Sequence, residues 1–516
     1  MSTMARETPV GGINPRTAPE HRRTFLVALV ATLLVKILLA GTFPITTDEA
    51  YFTTWGRQFD LGYYDHPPMV GWLLYLLFSF FGDHLLVARL PAILWSTLIG
   101  IGIYALIRPY DRSKAYLAAT LYLISPFSLV GILITNDTPL ALFSFASAAV
   151  LFKAIQRNKL SYYVLSGILL GLAFLSKYFA VLLAISYAVY FLVSDRSREK
   201  LVGFLALYAA SIPFVLINVY WNYTHCWDNI VFNLVTRNQD IAFSPWRFLT
   251  YVVMLVYLML PPVVYYLIRH RRALTARVTD WNLQLFACAF LVPILLLAML
   301  ATARDIGLHW LLSFIPFLFP ILSAVLTGTE LVKATKFTFY FSAVHVLLVA
   351  VLVLIPRQYL ATQDFYDSMV FVEESGQIQD HLRPYESEFH LATDRYSTAS
   401  LISYLSGKHF FVFGRGTSYG RQFDITTDFR NLDGRDILIF WLARPQPDKY
   451  VPFFESVELK ELEIKGVKFY FVLGRGFRYR SYRANVLQDV KAAYYRIPEY
   501  LPRGGCYFDD WYFRTD

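Results

Sequence analysis

The chain has 516 residues, 56% of them hydrophobic and 16% charged, with a formal net charge of +9. A mean hydropathy of +0.43 lies well outside the range of soluble domains and excludes an ordinary water-soluble globule. Nor does the positive balance indicate nucleic acid, because Lys and Arg cluster in short loops between apolar runs, the pattern that orients a helical membrane protein.

Residues 1–20 are polar and rich in Pro and Gly, and are expected to be disordered on the cytoplasmic side. The run Thr24 to Phe43 is long enough to span a bilayer and no small-x-small cleavage site follows it, so it reads as an uncleaved first helix. Further apolar runs lie at 85–107, 115–135, 138–155, 161–175, 178–194, 201–219, 247–268, 282–301, 308–326 and 337–355, giving about eleven crossings. The run 67–81 covers only about 22 Å of a hydrocarbon core of roughly 30 Å. Counted as a crossing it would put Arg108, Arg112 and Lys114 outside, against the positive-inside rule, so it reads as a juxtamembrane helix on the outer face.

With that assignment Lys153, Arg157, Lys159, Arg196, Arg198, Lys200, Arg269, Arg271, Arg272, Arg277, Lys333 and Lys336 all fall inside. The segments left outside are 44–84, the turns at 135–137 and 176–177, the loops 220–246 and 302–308, and everything after 356. Beyond 357 the long apolar runs stop and short alternating segments appear at 410–413, 437–442 and 466–473, which read as strands of a soluble domain. The expected architecture is an all-α polytopic membrane bundle of about eleven transmembrane helices plus juxtamembrane helices, with a C-terminal α/β domain. Its expected divisions are 1–20, a transmembrane domain 21–356 carrying the first outer loop 44–84, and a soluble domain 357–516.

Polar residues on the outer face are few. Asp48 and Glu49 follow the first helix closely, where a carboxylate can act as general base on an acceptor hydroxyl. Equally, Asp48 fits the N-cap of a short helix over AYFTTWGRQ. In Tyr64-Asp65-His66-Pro67-Pro68 the prolines fix the start of the next helix, while the Asp–His pair suits orientation of a phosphate or ligation of a metal. One Asp and one His are too few to specify a metal site. Asp137, in Asn136-Asp137-Thr138-Pro139, opens a helix at an outer turn and reads first as its N-cap, second as a carboxylate for a sugar hydroxyl or a cation.

Lys177 is a lone cation at the outer turn of an apolar hairpin, suited to a phosphate or an anionic headgroup, with snorkelling to the interface as the alternative. Arg237 is a second outer cation, with Trp221, Trp227 and Trp246 near it in sequence; such aromatics mark a membrane interface or stack on sugars. His309-Trp310 opens an outer helix end after Arg304-Asp305. Gly414-Arg415-Gly416 and Gly474-Arg475-Gly476 lack the context of a nucleotide fingerprint and read as turns beside strands. The three cysteines form no CxxC or zinc pattern; Cys288 lies in an apolar run, whereas Cys226 and Cys506 share the outer side, paired or not.

The segments TTDEAYF, GYYDHPPMVGWL, NDTPLALF, GLAFLSKYFAVLL and DRYSTASLISYLSGK together resemble the bacterial polytopic glycosyltransferases of the GT-C type. These are the relatives of the lipid A aminoarabinose transferase and of the dolichyl-phosphate-mannose protein mannosyltransferases. The resemblance implies a sugar donor on a polyprenyl (undecaprenyl) phosphate and transfer with inversion on the periplasmic side of the bacterial inner membrane. It implies a catalytic role for Asp48 with Glu49 beside it, and donor-phosphate contacts from Lys177, Arg237 and His66. Sugar or acceptor contacts then fall to Tyr64, Asp65, Asp137 and His309. The aminoarabinose transferase has Glu-Lys-Pro-Pro where this chain has Asp65-His66-Pro67-Pro68, which leaves His66 as a weaker, pH-dependent phosphate contact. That relative's metal site also needs a histidine just before the arginine, and residues 230–236 contain none, so no metal cofactor is expected.

The implied acceptor is lipid A, a lipopolysaccharide core or another envelope glycolipid, with protein O-mannosylation as the alternative. A transporter or flippase is a rival of another class. It is disfavoured because transporters place charged or broken-helix sites at the midplane and show inverted repeats, whereas the acids here gather at one face.

Overall fold

A computed structural model describes residues 18–194, 196–238, 242–280, 283–354 and 363–514. The disorder expected over 1–20 falls, up to residue 17, outside the described residues, and Ala18 already begins the first helix, Ala18–Thr42. The expected boundary at 356/357 also lies outside them. The chain forms two compact units: the described parts of 1–43, 89–214 and 241–351, and those of 44–88, 215–240 and 352–516.

Seven described helical stretches are long and apolar enough to cross a membrane: Ala18–Thr42, Leu85–Ile107, Asp137–Arg157, Arg198–Thr224, Gln284–Ala301, Leu308–Val325 and Gly328–Leu352. Pro245–Met259 and Pro261–Arg269 make an eighth if counted as one span, but they are bent by 91° at Leu260. Pro261 and Pro262 supply no amide hydrogen and their rings clash with a continuing helix, so the run expected as one rod over 247–268 breaks there. The other three expected crossings fold into shorter helices. The run 115–135 becomes Arg112–Leu123 and Pro126–Val130, interrupted at Ser125-Pro126; 161–175 becomes Leu160–Ser176, and 178–194 becomes Ala180–Val193. Residues 121–129 are all buried, which is what irregular backbone among apolar helices requires.

In the first unit Asp137–Arg157 and Leu160–Ser176 pair as an antiparallel hairpin, locked by two serines whose hydroxyls donate to each other's carbonyls, Ser147 Oγ to Ser166 O and Ser166 Oγ to Ser147 O, both at 2.9 Å. Gly167 and Gly171 let that hairpin approach its neighbour closely: a Cβ on Gly167 would lie 2.0 Å from the Leu207 carbonyl oxygen. Two cations are sealed inside and were not singled out from sequence. Lys36 donates to Ser96 Oγ at 2.8 Å and Thr97 Oγ1 at 2.7 Å. Arg89 donates to the carbonyls of Ala40 and Phe43 at 2.8 and 2.7 Å, satisfying the open end of the first helix.

The second unit contains a five-stranded sheet: β1 Phe389–Thr393, β2 Phe411–Val412, β3 Asp436–Trp441, β4 Ser456–Ile464 and β5 Val467–Arg475, in the order β2-β1-β3-β5-β4. β1 runs parallel to β2 and β3, and helix Tyr396–Ser406 carries the chain from β1 to β2, as a parallel pair demands. β4 and β5 form a hairpin about Lys465-Gly466, both at positive φ (51° and 78°), the two-residue turn whose twist suits a hairpin. Gly414 and Gly416 turn the chain after β2 as expected, but Gly474 and Arg475 are part of β5, and only Gly476 turns.

Helix Met69–Phe81 has 13 residues, too few to span, and packs Val70 and Leu74 inward while Leu76, Phe80 and Phe81 stay exposed. Cys226 and Cys506 are joined in a disulfide, 280 residues apart, and Cys226 N donates to Gly505 O at 3.0 Å beside it. Because the bridge closes so long a loop, the double variant Cys226→Ser/Cys506→Ser is expected to lose roughly 2–5 kcal/mol of stability. Thermal unfolding of the detergent-solubilised protein checks this; a midpoint equal to that of the wild type would show that the crosslink contributes nothing.

Candidate functional site

The loop after the first helix begins with a helix start whose chemistry is complete. Thr46 caps helix Thr47–Arg57: its Oγ1 accepts from Glu49 N at 3.4 Å, while the Glu49 carboxylate accepts from Thr46 N at 3.1 Å. The N-cap reading of Asp48 therefore fails, because Thr46 holds that position. Glu49 is fully buried in this reciprocal pair, which gives it a structural occupation. Asp48 projects from the first turn, exposed, with no hydrogen bond or ion pair among the described residues. Its pKa is raised, chiefly by the protein that shields it from water and then by the Glu49 charge.

Seventeen positions on, the chain turns tightly at Tyr63–His66, where Tyr63 N donates to His66 O at 3.1 Å and His66 N to Tyr63 O at 3.3 Å. At the corner stands Asp65, 4% exposed. Its carboxylate accepts a short hydrogen bond from Tyr51 OH and a second, at 3.2 Å, from Gly420 N. Burial pushes its pKa up to about 6, against the pull of these two donors and of Arg237.

Two further segments hold this turn by its backbone. From one side Asn229 and Asn233, a helical turn apart on helix Asp228–Leu234, donate from their side-chain amides to Tyr63 O at 2.9 Å and Asp65 O at 2.8 Å. From the other, Gln422 accepts from Tyr64 N at 2.9 Å. None of these partners stood out in the sequence; the only local sign was the pair of asparagines four apart in DNIVFNL.

Arg237 lies beside this turn with its guanidinium 5.5 Å from the Phe232 ring and 5.8 Å from the Tyr419 ring. Its Nη1 reaches Asn233 Oδ1 at 3.5 Å, and its Nε has no partner among the described residues. His66 is half-buried, its ring 6.2 Å from that of Trp55. Tyr64 is buried in the core of its unit against Phe232 and Tyr495, so it serves packing.

Behind it runs a buried polar chain that sequence reasoning missed altogether. Tyr507 OH lies 3.1 Å from an Asp228 carboxylate oxygen and 2.9 Å from Tyr495 OH, Tyr495 OH donates to Asp424 at 2.6 Å, and Asp424 pairs with Arg421 at 2.5 Å. Burial raises the Asp228 pKa well above the carboxylate range.

The remaining expected residues belong to the first unit. Asp137 is the first residue of its helix, not the cap, which is Asn136 without a side-chain bond. Instead its two oxygens each accept from Lys177 Nζ at 2.8 Å. Lys177 is 8% exposed and therefore does not snorkel. It sits in the non-helical break after Ser176, with its ammonium 4.8 Å from the Phe179 ring and 5.8 Å from that of Trp310. His309 Nε2 stands 4.0 Å from Asp137 Oδ2, and Arg304 lies 5.2 Å from the other partner ring, Trp310. The structure thus gathers Asp137, Lys177 and His309 into one cluster, and Asp65 with Arg237 into another. Among the described residues no group of three or more His, Cys, Asp or Glu gathers in a metal-binding arrangement.

Residues 65–221 match the family described as dolichyl-phosphate-mannose-protein mannosyltransferase. The lipid A galacturonosyltransferase RgtD of Rhizobium johnstonii is 27% identical over 234 residues, 43% of this chain and 46% of that protein. The lipopolysaccharide core galacturonosyltransferase RgtB of the same organism is 26% identical over 337 residues, 60% of this chain and 67% of that protein. The chain thus spans about half the length of the first of these relatives. Among solved structures it is similar to ArnT from Cupriavidus metallidurans in the apo state, with a TM-score of 0.60 and 15% identity over 87% of this chain and 98% of that one. The same protein bound to undecaprenyl phosphate gives a TM-score of 0.59 at 13% identity, over the same shares of the two chains. These likenesses show a shared fold.

Asp65 holds its proton to about pH 6 in the folded protein, and only to its ordinary, lower value when unfolded. Its contribution to stability is therefore complete below about pH 4 and is lost as pH rises through 6. Asp65→Asn is expected to flatten that part of the stability profile, read as thermal midpoints from pH 4 to 8. A slope as steep as that of the wild type would assign the effect to another group.

Proposed function

We propose that this chain, which has the GT-C-type membrane glycosyltransferase fold, is an inverting enzyme that moves a sugar from a polyprenyl phosphate to lipid A or a lipopolysaccharide core. The observation that carries the reading is Asp48: in a loop whose other carboxylates are engaged, it alone is exposed and unpartnered among the described residues, with its pKa raised. A carboxylate so placed accepts the proton of an acceptor hydroxyl. The hydroxyl oxygen then attacks the anomeric carbon from the face opposite the phosphate, the bond from that carbon to the phosphate oxygen breaks, and polyprenyl phosphate leaves with the electron pair. Asp48 afterwards releases its proton to solvent.

Lys177 supplies the cation for the negative charge that grows on the leaving phosphate, and its bidentate contact with Asp137 fixes the ammonium in place. Arg237, whose Nε has no partner among the described residues, serves a second anionic group. The sugar is proposed to be a hexuronic acid, a reading supported by the two galacturonosyltransferase relatives, and its carboxylate suits that arginine. The scheme uses no metal. It takes place on the periplasmic face of the inner membrane, the side to which a single crossing by Ala18–Thr42 from a cytoplasmic N-terminus would assign the loop 44–84. Met69–Phe81, too short to span and apolar on its exposed face, then lies in the interface.

Asp48→Asn in purified enzyme is expected to reduce transfer from polyprenyl-phosphate-linked galacturonate by about 10²–10⁴-fold with the thermal midpoint unchanged. Turnover near the wild-type rate would end the general-base assignment. Lys177→Ala is expected to raise the donor KM about tenfold or more, and a normal donor KM would remove Lys177 from the phosphate site. The match over 65–221 also supports protein O-mannosylation as a second reading. Mass spectrometry of lipid A and core from a deletion strain separates the two: loss of a uronic acid supports the lipid acceptor, and an unchanged profile supports the protein.

A further inference from the structure

Tyr396 stands just beyond the carboxyl end of β1, the strand that runs parallel to β2 on one side and β3 on the other. That end of an open α/β sheet is where ligands bind. The residue opens helix Tyr396–Ser406 and belongs to the segment DRYSTASLISYLSGK, to which the transfer scheme gives no part.

Its ring is fixed by two neighbours. Tyr51 meets it edge-on, with centroids 5.4 Å apart and planes at 66°. Gly420 closes on it at a φ of 70°, so near that a Cβ there would run into the Tyr396 ring. Both neighbours are themselves bound to the Asp65 carboxylate, Tyr51 through its phenol and Gly420 through its amide at 3.2 Å. The backbone is pinned as well, because Ser400 Oγ donates to Tyr396 O at 2.7 Å. The hydroxyl, in contrast, is available. It has no hydrogen-bond partner among the described residues, and unlike the enclosed hydroxyls of Tyr122 and Tyr163 it retains accessible surface.

Asp48 belongs to the same place. It precedes Tyr51 by three residues on helix Thr47–Arg57, a spacing that brings two side chains about 5–6 Å apart at Cβ on one face. Helical side chains lean toward the N-terminus, so the Tyr51 ring lies over the turn that carries Asp48, and Tyr396 packs on that ring. Burial, and after it the charges of Asp48 and Asp65, push the Tyr396 pKa up to about 12, so the phenol keeps its proton near neutral pH and acts as a donor. We propose that Tyr396 binds the acceptor sugar for Asp48. Its hydroxyl donates to the oxygen next to the reacting hydroxyl, a second hydroxyl or the ring oxygen, and so turns the reacting hydroxyl toward the carboxylate with both lone pairs left for the anomeric carbon. Tyr396 gives up no proton: that of the acceptor passes to Asp48 as the new bond forms and the phosphate leaves with the electron pair. The assignment rests on the reading of Asp48 as the base and of a sugar as the acceptor.

The test is steady-state kinetics of the purified full chain, with polyprenyl-phosphate-linked galacturonate as donor and lipopolysaccharide from a deletion strain as acceptor. Tyr396→Phe keeps the ring and its packing, so the thermal midpoint and the donor KM are expected to stay at their wild-type values while kcat/KM for the acceptor falls about 10- to 100-fold. Asp48→Asn/Tyr396→Phe is expected to lose no more kcat than Asp48→Asn alone, because Tyr396 acts by presenting the hydroxyl to that carboxylate. Wild-type acceptor kinetics in Tyr396→Phe would overturn the proposal and leave Asp48 as the base, and so would losses that add in full in the double variant. A lowered midpoint with both KM values raised would make Tyr396 a packing residue and overturn it equally. Full turnover of Asp48→Asn would overturn this proposal together with the reading on which it rests.

Discussion

A carboxylate withdrawn from water governs the second unit. Asp65 keeps its place only because donors converge on it: the phenol of Tyr51 from one helix and the amide of Gly420 from 355 residues away. Once those donors are fixed, the turn Tyr63–His66 is fixed as well. The asparagine amides at 229 and 233 then grip its carbonyls, and Gln422 receives its one inward amide. Three distant stretches of chain are thus held to one turn, and the disulfide between Cys226 and Cys506 ties the asparagine-bearing segment to the C-terminal tail. Pro67 and Pro68 follow at once, so the constraint passes directly into the start of helix Met69–Phe81.

The same rule operates in the first unit with charges of both signs. Lys177 and Asp137 would each be costly alone in so apolar a place; together they form a bidentate pair ringed by Phe179 and Trp310. Lys36 is met by two hydroxyls, and Arg89 by two carbonyls at the open end of the first helix. Buried polar groups of this kind fix which helix turn faces which. An apolar stripe alone would permit a slide along the axis, whereas a lysine that must find Ser96 and Thr97 permits one register.

These arrangements frame the proposed chemistry. Transfer from a lipid-linked phosphate asks for a base that water can reach and a cation that does not wander. Asp48 stands apart from the interlocked groups of its own unit, because Thr46 and Glu49 complete the helix start without it. Lys177, in contrast, is held rigid by Asp137, as a group that meets developing charge should be.

The sequence by itself determined the properties that are written locally. Hydropathy over single segments located every apolar helix, and alternation beyond 410 located strands of the sheet. The order of TTDEAYF, GYYDHPP, NDTP and LSKY identified the GT-C resemblance. Each of these rests on residues within one or two turns of one another, where hydrophobic period and charge act directly. Local signals also misled where tertiary contacts prevailed. Asp137 looks like a helix cap and is an ion-pair partner; Asp48 looks like a cap and Thr46 is; 247–268 looks like one rod and bends at Leu260. The tertiary structure alone decided that Asp137 meets Lys177 across 40 residues, that Asp65 meets Gly420, and that Tyr64 meets Gln422 across 358. The reason is physical: whether a buried charge or amide is tolerated depends on the partner that folding delivers, and no property of the neighbouring residues encodes that partner.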